Sequence, residues 1–383
     1  MLGQQMQSVT VGWELYERTS SAIVLGNVGL VQVLPVFLLA LPAGQLADRL
    51  ARRNIILATQ ILLAICSFAL AILSYKRSAI FLVYVSLLLG SLAKAFNRPA
   101  SDALLPQLVP AETFSNAVFW NRSASRVASM AGPALAGLVI AIQGSATLVY
   151  ILCATLSLLF FGLTTLLSKQ QSIIITQKTT PETLFAGVRF VWQEKILLAA
   201  ITLDFFATLL GGAYTLLPIF AKDILHVGAV GLGWLRAAPS IGGLLMTVLL
   251  IYLPPIQRIG KTLLWTMVSF GVATIIFGLS RSFWLSLLML VLIGFFDNLN
   301  VVVRHTLVQL RTPDFLRGRV SAMSNVFISS SIELGGFESG LTTAWFGPIV
   351  SVVGGGFGTL IVVLIVALLL PEIRQLDSLK PRC

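Results

Sequence analysis

Eight ionisable side chains stand inside long apolar runs of this chain: Lys94, Arg122, Arg126, Asp204, Arg236, Asp297, Glu333 and Glu338. A charge at the centre of a membrane helix costs at least about 2.5–3.5 kcal/mol, so such groups usually face a cavity or a partner. A carboxyl in a poorly hydrated cavity can load and release a proton near neutral pH, and its protonation can exclude a cationic partner or favour one open state. Asp204 and Glu333 are expected to include a proton-coupling carboxylate, with Asp297 and Glu338 as further candidates. The competing reading is a structural ion pair of Asp204 or Asp297 with a nearby Arg or Lys. Glu333 and Glu338 are separated by a helical rotation of about 500° and therefore point to different faces. Lys94, Arg122 and Arg126 would form a basic vestibule suited to an anionic ligand if they face a cavity, or would snorkel to headgroups. Trp120, Phe205, Phe206, Phe295 and Phe296 are candidates to line an apolar path.

These groups need apolar elements to hold them, and the composition supplies little else. Of 383 residues, 57% are hydrophobic and 11% charged, with a mean hydropathy of +0.92. A soluble domain carries roughly 25% charged residues, so this chain lacks the charge to coat a soluble surface. It reads as an all-α, polytopic membrane protein. The net charge of +11 fits Lys and Arg collected on cytoplasmic loops better than a nucleic-acid partner. Three scattered cysteines and two histidines form no disulfide framework and no zinc or haem site, so neither a metal nor a cofactor is expected. Ile259-Gly260-Lys261-Thr262 resembles the end of a phosphate-binding loop, but Pro255 stands where its first glycine belongs. An enzyme is disfavoured.

Runs of about 20 apolar residues give eleven full spans, from Ile23–Leu46 through Val320–Ala344 to Ile349–Leu370. Met1–Tyr16 is too short to cross and reads as the outer part of a first span whose beginning is missing. The plan is then twelve helices with the first truncated. With the Arg49, Arg52 and Arg53 segment in the cytoplasm, 17 Lys and Arg fall inside, Arg304 among them, and 5 fall outside. That topology puts the C-terminus in the cytoplasm. Residues 169–195 link an N-terminal bundle, 1–168, to a C-terminal bundle and short tail, 196–383. Within the linker, Thr180-Pro181-Glu182 starts a helix. Leu184, Phe185, Val188, Val191 and Trp192 give that helix an apolar stripe suited to the cytoplasmic interface.

The halves repeat. Asn97 matches Asn300 at an offset of 203 residues, as do Gly132 and Gly335, and Gly137 and Gly340. Lys94 and Asp297 are equivalent on the same offset, with opposite charge. Parallel six-helix repeats enclose a cavity near the midplane that can open to either side.

Two motifs carry a resemblance. Gly44-Gln45-Leu46-Ala47-Asp48-Arg49-Leu50-Ala51-Arg52-Arg53 resembles the signature loop of the major facilitator superfamily, with Ala51 in place of its second glycine. The resemblance implies that Asp48 latches the two halves on the cytoplasmic side. The equivalent acidic position in the second half is Gln257, so only one latch is intact. Ala128–Gly137, with Gly132, Pro133 and Gly137, is similar to that superfamily's antiporter motif. Physically, a Gly-Pro step bends a membrane helix and small residues let it pack tightly; by resemblance the motif leans to export. Further segments, including Leu203-Asp204-Phe205-Phe206, Phe296-Asp297-Asn298 and Glu333–Gly340, are similar to the subgroup of enterobactin-type siderophore exporters and drug-efflux proteins.

The resemblance implies a major facilitator fold of two six-helix bundles and a proton-coupled exporter of small molecules such as siderophores or drugs, working by alternating access. Its expected partners are a small-molecule substrate, protons and the lipid bilayer, with no nucleic acid. It would be monomeric, in the bacterial cytoplasmic membrane. The alternatives are an uptake transporter for lysophospholipids or metabolites and a non-transporting sensor or scaffold.

Overall fold

A computed structural model of the chain describes residues 1–167, 181–211, 213–253 and 258–374. Side chains 40, 41, 43–45, 47–49, 111, 181–186, 315, 322, 371 and 374 are outside that description. The described residues are helical or in turns. Contacts divide the chain into two units, one of residues Met1–Lys178 with Val227–Ala237, the other of Thr179–His226 with Ala238–Cys383.

The first unit contains α1 (Leu2–Thr19), α2 (Ala22–Arg49), α3 (Arg52–Tyr75), α4 (Ile80–Leu108), α5 (Phe114–Gln143) and α6 (Thr147–Thr165). In it, α1 packs on α5 and α6, α3 on α4 and α6, and α2 on α4. The segment judged too short to cross is a helix of 18 residues, about 27 Å at 1.5 Å per residue. It buries Val9, Val11, Leu15 and Tyr16 as a full member of the bundle.

The second unit contains α7 (Pro181–Gln193), α8 (Lys195–Leu210) and α9 (Leu217–Ile219), then most of α10 (Gly228–Tyr252), whose first residues group with the first unit. It continues with α11 (Ile259–Leu279), α12 (Phe283–Arg311), α13 (Asp314–Phe346), α14 (Pro348–Leu369) and α15 (Pro371–Arg374). Here α8 packs on α13 and α14, and α11 on α12 and α14. This is the packing plan of the first unit repeated. The offset of 203 holds at atomic contact. A Cβ on Gly132 of α5 would fall 2.7 Å from Gln5 of α1, and one on Gly335 of α13 would fall 2.5 Å from the Leu209 carbonyl oxygen of α8. Both glycines let the opposing helix approach at the same register.

Ten helices among the described residues are long and apolar enough to cross a membrane. The run Val320–Ala344, the tenth of the eleven full spans, lies in α13. At 33 residues α13 is long enough, but Ser324, Ser330, Ser331, Glu333, Glu338 and Ser339 make it polar. The run Ile196–Phe220 is also less regular than expected. After α8 the chain passes through a 3-10 turn, the short α9 and a π turn at Phe220–Ile224. Exposed Phe37, Leu38, Phe68, Leu159, Leu364 and Leu368 make the apolar outer surface that a bilayer requires.

The helix expected to lie along the membrane interface is seated on α13 and α8. Val191 is buried in a core with Leu197, Ile201, Leu263, Leu307 and Val320, while Trp192 is 69% exposed. The predicted stripe therefore divides: one part packs on protein and Trp192 stays free of it. Thr180, Pro255 and Gln257 lie outside the described residues, as do the side chains of Leu184 and Phe185.

Candidate functional site

The second unit gathers its buried charge at one place. Asp204 is the carboxylate of α8, and α12 presents Asp297, Asn300 and Arg304 three and four residues apart, which puts them on one helical face. Asn300 donates from Nδ2 to Asp204 Oδ1 at 2.6 Å, and Arg304 Nε lies 3.4 Å from Asp204 Oδ2. From α13, Ser324 Oγ accepts a hydrogen bond from Arg304 Nη1 at 2.7 Å. Asp204, Asn300 and Arg304 are 1%, 0% and 2% exposed. Asp297, half-buried one turn from Asn300, is within electrostatic reach of both Asp204 and Arg304. One turn along α8, the Thr208 and Ser331 hydroxyls meet at 2.6 Å and tie α8 to α13.

Two atoms of the cluster are left over. Asn300 Oδ1 has no hydrogen-bond partner, and Arg304 Nε makes no aligned hydrogen bond despite its closeness to Asp204. A buried acceptor without a donor costs about 1–3 kcal/mol. The pairing also corrects one placement: Arg304 was counted among the cytoplasmic loop charges, and the structure buries it inside α12. The reason is that α12 continues helically to Arg311, past the end of its apolar run.

Glu333 and Glu338 are half-buried on α13. Glu338 accepts from Ser339 Oγ at 3.4 Å and stands fourteen residues from Ser324, about 21 Å along the helix and so outside the cluster. In the first unit, Lys94 is half-buried, with Cys66, Cys153 and the Met1 amine in electrostatic reach. Arg126 is half-buried and Arg122 exposed on α5. Phe205 meets Phe206 and Phe327 edge-on, at 5.3 and 6.1 Å, and Phe295 meets Phe296 at 5.4 Å. Trp120 is exposed.

One buried group was missed by sequence reasoning. Glu14 of α1 accepts a hydrogen bond from the Tyr150 hydroxyl at 2.8 Å and pairs with Arg18 at 3.5 Å, and Arg18 also donates to the Ser78 carbonyl. Tyr150 is fully buried. The spacing of Glu14 and Arg18, four residues apart in a helix, was the available signal.

The repeated packing plan, the buried charges on it and the glycine-packed helices fit a membrane transporter, and the comparison with known proteins decides which kind. The profile of the transmembrane secretion effector family matches residues 1–382. The chain belongs to this family of major facilitator transporters. It is 24% identical to the multidrug efflux pump Tap of Mycolicibacterium fortuitum over 397 residues, 98% of this chain and 94% of that one. It is 26% identical to the enterobactin exporter EntS of Shigella dysenteriae over 342 residues, 88% of this chain and 81% of that one. Among solved structures, a bacterial homologue of the iron transporter ferroportin in an inward-facing state superposes with a TM-score of 0.75 at 16% identity, covering 96% and 95% of the two chains. That likeness is one of fold. The family and these relatives are transporters, not enzymes.

The two family motifs have a structural account within the first unit. The signature segment is mostly helix rather than loop, because α2 continues to Arg49. The side chains of Gly44, Asp48 and Arg49 lie outside the described residues. Arg52 donates to the Ala103 carbonyl of α4 at 2.7 Å. Arg53 donates to the Thr164 and Thr165 carbonyls at 3.1 and 2.8 Å, capping the C-terminus of α6, where a cation suits the helix dipole. In the antiporter-like motif, Gly132 packs on α1. Gly137 meets Ala229 and Gly233 at the start of α10 backbone to backbone, and a Cβ on Gly233 would fall 2.7 Å from the Pro133 carbonyl oxygen.

Proposed function

We propose that this transporter exports amphipathic small molecules across the bacterial cytoplasmic membrane, driven by the proton gradient through alternating access of its two six-helix halves. One observation carries the reading: Asp204, Asn300 and Arg304 are buried together in helices that are otherwise apolar, with Asp297 beside them. Such a charge cluster is costly to insert in a membrane protein and marks a proton or ion pathway. Tap, EntS and the macrolide efflux protein A of Streptococcus pyogenes are named for efflux, which supports the direction. The same reading takes the C-terminus as cytoplasmic, in keeping with the Lys and Arg distribution, and the working unit as a monomer. Asp204, Asp297 and Glu333 are its coupling candidates, with Glu338 nearer the far end of α13. Lys94 and Arg126 serve as basic groups toward the substrate. Asp48 with Arg49 and the Gly132, Pro133 and Gly137 segment control opening.

The test is purified protein in proteoliposomes with an imposed pH gradient and a panel of a cationic dye, a macrolide and a catecholate siderophore. At least one probe is expected to accumulate against its gradient, and a protonophore is expected to abolish that accumulation. Accumulation indifferent to the protonophore refutes proton coupling. Full gradient-driven transport by both Asp204→Asn and Glu333→Gln refutes those two assignments.

A further inference from the structure

Asp204, Asp297 and Arg304 carry two negative charges and one positive, so the cluster holds one negative charge in excess in a low-dielectric core. A single bound cation would neutralise it, and leaving it uncompensated is expensive. Among the described residues, the charges of α10 beyond Ala237, α11, α13 and α14 do not supply that cation. The part of α10 from Ala238 to Tyr252 carries no charged residue, nor does α14, and α11 carries only Lys261 in its first turn. On α13 the basic residues, Arg317 and Arg319, lie in the first two turns, and Glu333 adds only negative charge. The electrostatic partners of Asp297 are Asp204 and Arg304.

The two carboxylates are not equivalent. Asp204 already accepts from Asn300 at 2.6 Å and faces Arg304 at 3.4 Å, and all three are almost wholly enclosed. Its charge is therefore matched. Asp297 shares the Arg304 charge only at longer range and is half-buried, with no hydrogen bond tying it to the pair. Between them sits the orphan acceptor. The Asn300 amide nitrogen is committed to Asp204, and its oxygen, 0% exposed, has no donor. Asp297 precedes Asn300 by three residues on the same face of α12, the spacing at which side chains meet. A protonated Asp297 is the donor that this acceptor lacks.

We propose that Asp297 is the proton-carrying residue of this transporter, one proton per cycle, with Asn300 the positioning residue that senses its protonation and the Asp204–Arg304 pair a fixed countercharge. The inference rests on the proton-driven reading above. On loading, the Asp297 carboxylate takes a proton from hydronium, releasing water, and the new O–H donates to Asn300 Oδ1. On release, the O–H electron pair returns to the carboxylate, the proton leaves to water, and Asn300 Oδ1 is again without a donor. The hydrogen bond from Asn300 to Asp204 joins α12 to α8, so the proton on α12 bears directly on the α8 contact.

Infrared difference spectroscopy between acid and alkaline pH tests this on the full-length protein without needing its substrate. The wild type is expected to show, apart from the low-pH absorption of its exposed carboxyls, one further protonated-carboxyl C=O band that persists to higher pH before it titrates. Asp297→Asn removes it. Glu333→Gln retains it, and so does the Asp204→Asn, Arg304→Met double variant, which removes both members of the pair and avoids leaving a lone buried charge. Asn300→Leu moves the band to higher frequency, because the protonated carboxyl no longer donates its O–H to Asn300 Oδ1. Survival of the band in Asp297→Asn, with gradient-driven transport intact, overturns this assignment and leaves the proton-driven reading standing. Wild-type transport that ignores an imposed pH gradient overturns both.

Discussion

Replacing Arg304 with methionine keeps an unbranched stem as far as the Nε position and removes the guanidinium charge, which tests the pair with Asp204. The wild-type carboxylate is 1% exposed, with one aligned hydrogen bond from Asn300 and the guanidinium at 3.4 Å. In Arg304→Met the carboxylate keeps the Asn300 bond and loses its countercharge, and Ser324 loses a charged donor. Breaking a buried pair by removing one partner costs about 3–5 kcal/mol, about two to three and a half powers of ten in the folding equilibrium. The contact through Nε is not an aligned hydrogen bond, so the lower end of that range applies. Adding Asp204→Asn removes the stranded charge, and the double variant is expected within about 1–2 kcal/mol of wild type, since replacing a whole buried pair is often nearly neutral. The assay is sodium dodecyl sulfate unfolding of the protein in micelles, followed by circular dichroism, for wild type, both single variants and the double. The reasoning fails if Arg304→Met alone lies within about 1 kcal/mol of wild type. It also fails if the double variant is destabilised by the sum of the two singles, because the cycle would then contain no interaction energy.

Three other outcomes follow from the packing. Gly335→Val is expected to destabilise more than Gly132→Val in the same unfolding titration, because its Cβ meets the Leu209 backbone oxygen at 2.5 Å whereas the Gly132 Cβ first meets the Gln5 side chain; overpacking of this kind costs about 1–3 kcal/mol. Tyr150→Phe removes the donor to Glu14, and the loss of a buried hydrogen bond to a charged group is expected to cost about 1.5–3 kcal/mol in that titration. Arg53→Ala frees the Thr164 and Thr165 carbonyls, and hydrogen exchange is expected to rise over the last turn of α6 with little change in α3.

The fold was legible because its signals are periodic and long. Apolar runs of membrane length follow from the rule that backbone polar groups in lipid must be satisfied within helices, and the 203-residue offset and the two motifs add the repeat and the close packing. The chemistry was legible only by half. Asp204 stood out as a carboxylate in an apolar run, but its partner did not. Arg304 follows the continuous apolar run that ends at Val303, and a rule that sorts Lys and Arg by loop assigns it to water, although Leu307 and Val308 continue the buried face beyond it. Asn300 was visible as a repeat match, and the step of four from Asn300 to Arg304 was the hint that both share a face. Glu14 was hidden differently: Val9, Val11, Trp13 and Leu15 recur every second residue, a spacing that marks no single helical face, so nothing local showed that Glu14 is buried. Burial of a polar group is a tertiary property, and no local pattern in α7 shows which of Val191 and Trp192 will meet α13 and α8.

The repeat separates what was duplicated from what was not. On the offset of 203, the glycine contacts of α5 with α1 recur in α13 with α8, and the helix pairings recur with them. The charged chemistry does not recur. Asn97 matches Asn300, but Asn97 donates to the neutral Thr59 hydroxyl at 2.7 Å where Asn300 donates to a carboxylate. Ser101 stands where Arg304 stands, and Lys94 where Asp297 stands. Packing must be the same in both halves for each to form a bundle of similar shape, whereas charge is free to differ at each site. A duplicated scaffold can therefore carry a net negative cluster in one half and a basic residue at the matching position in the other. A proton held by the second half and an anionic or amphipathic ligand met by Lys94 in the first would then act on different helices, and neither group would have to compete for the other's site.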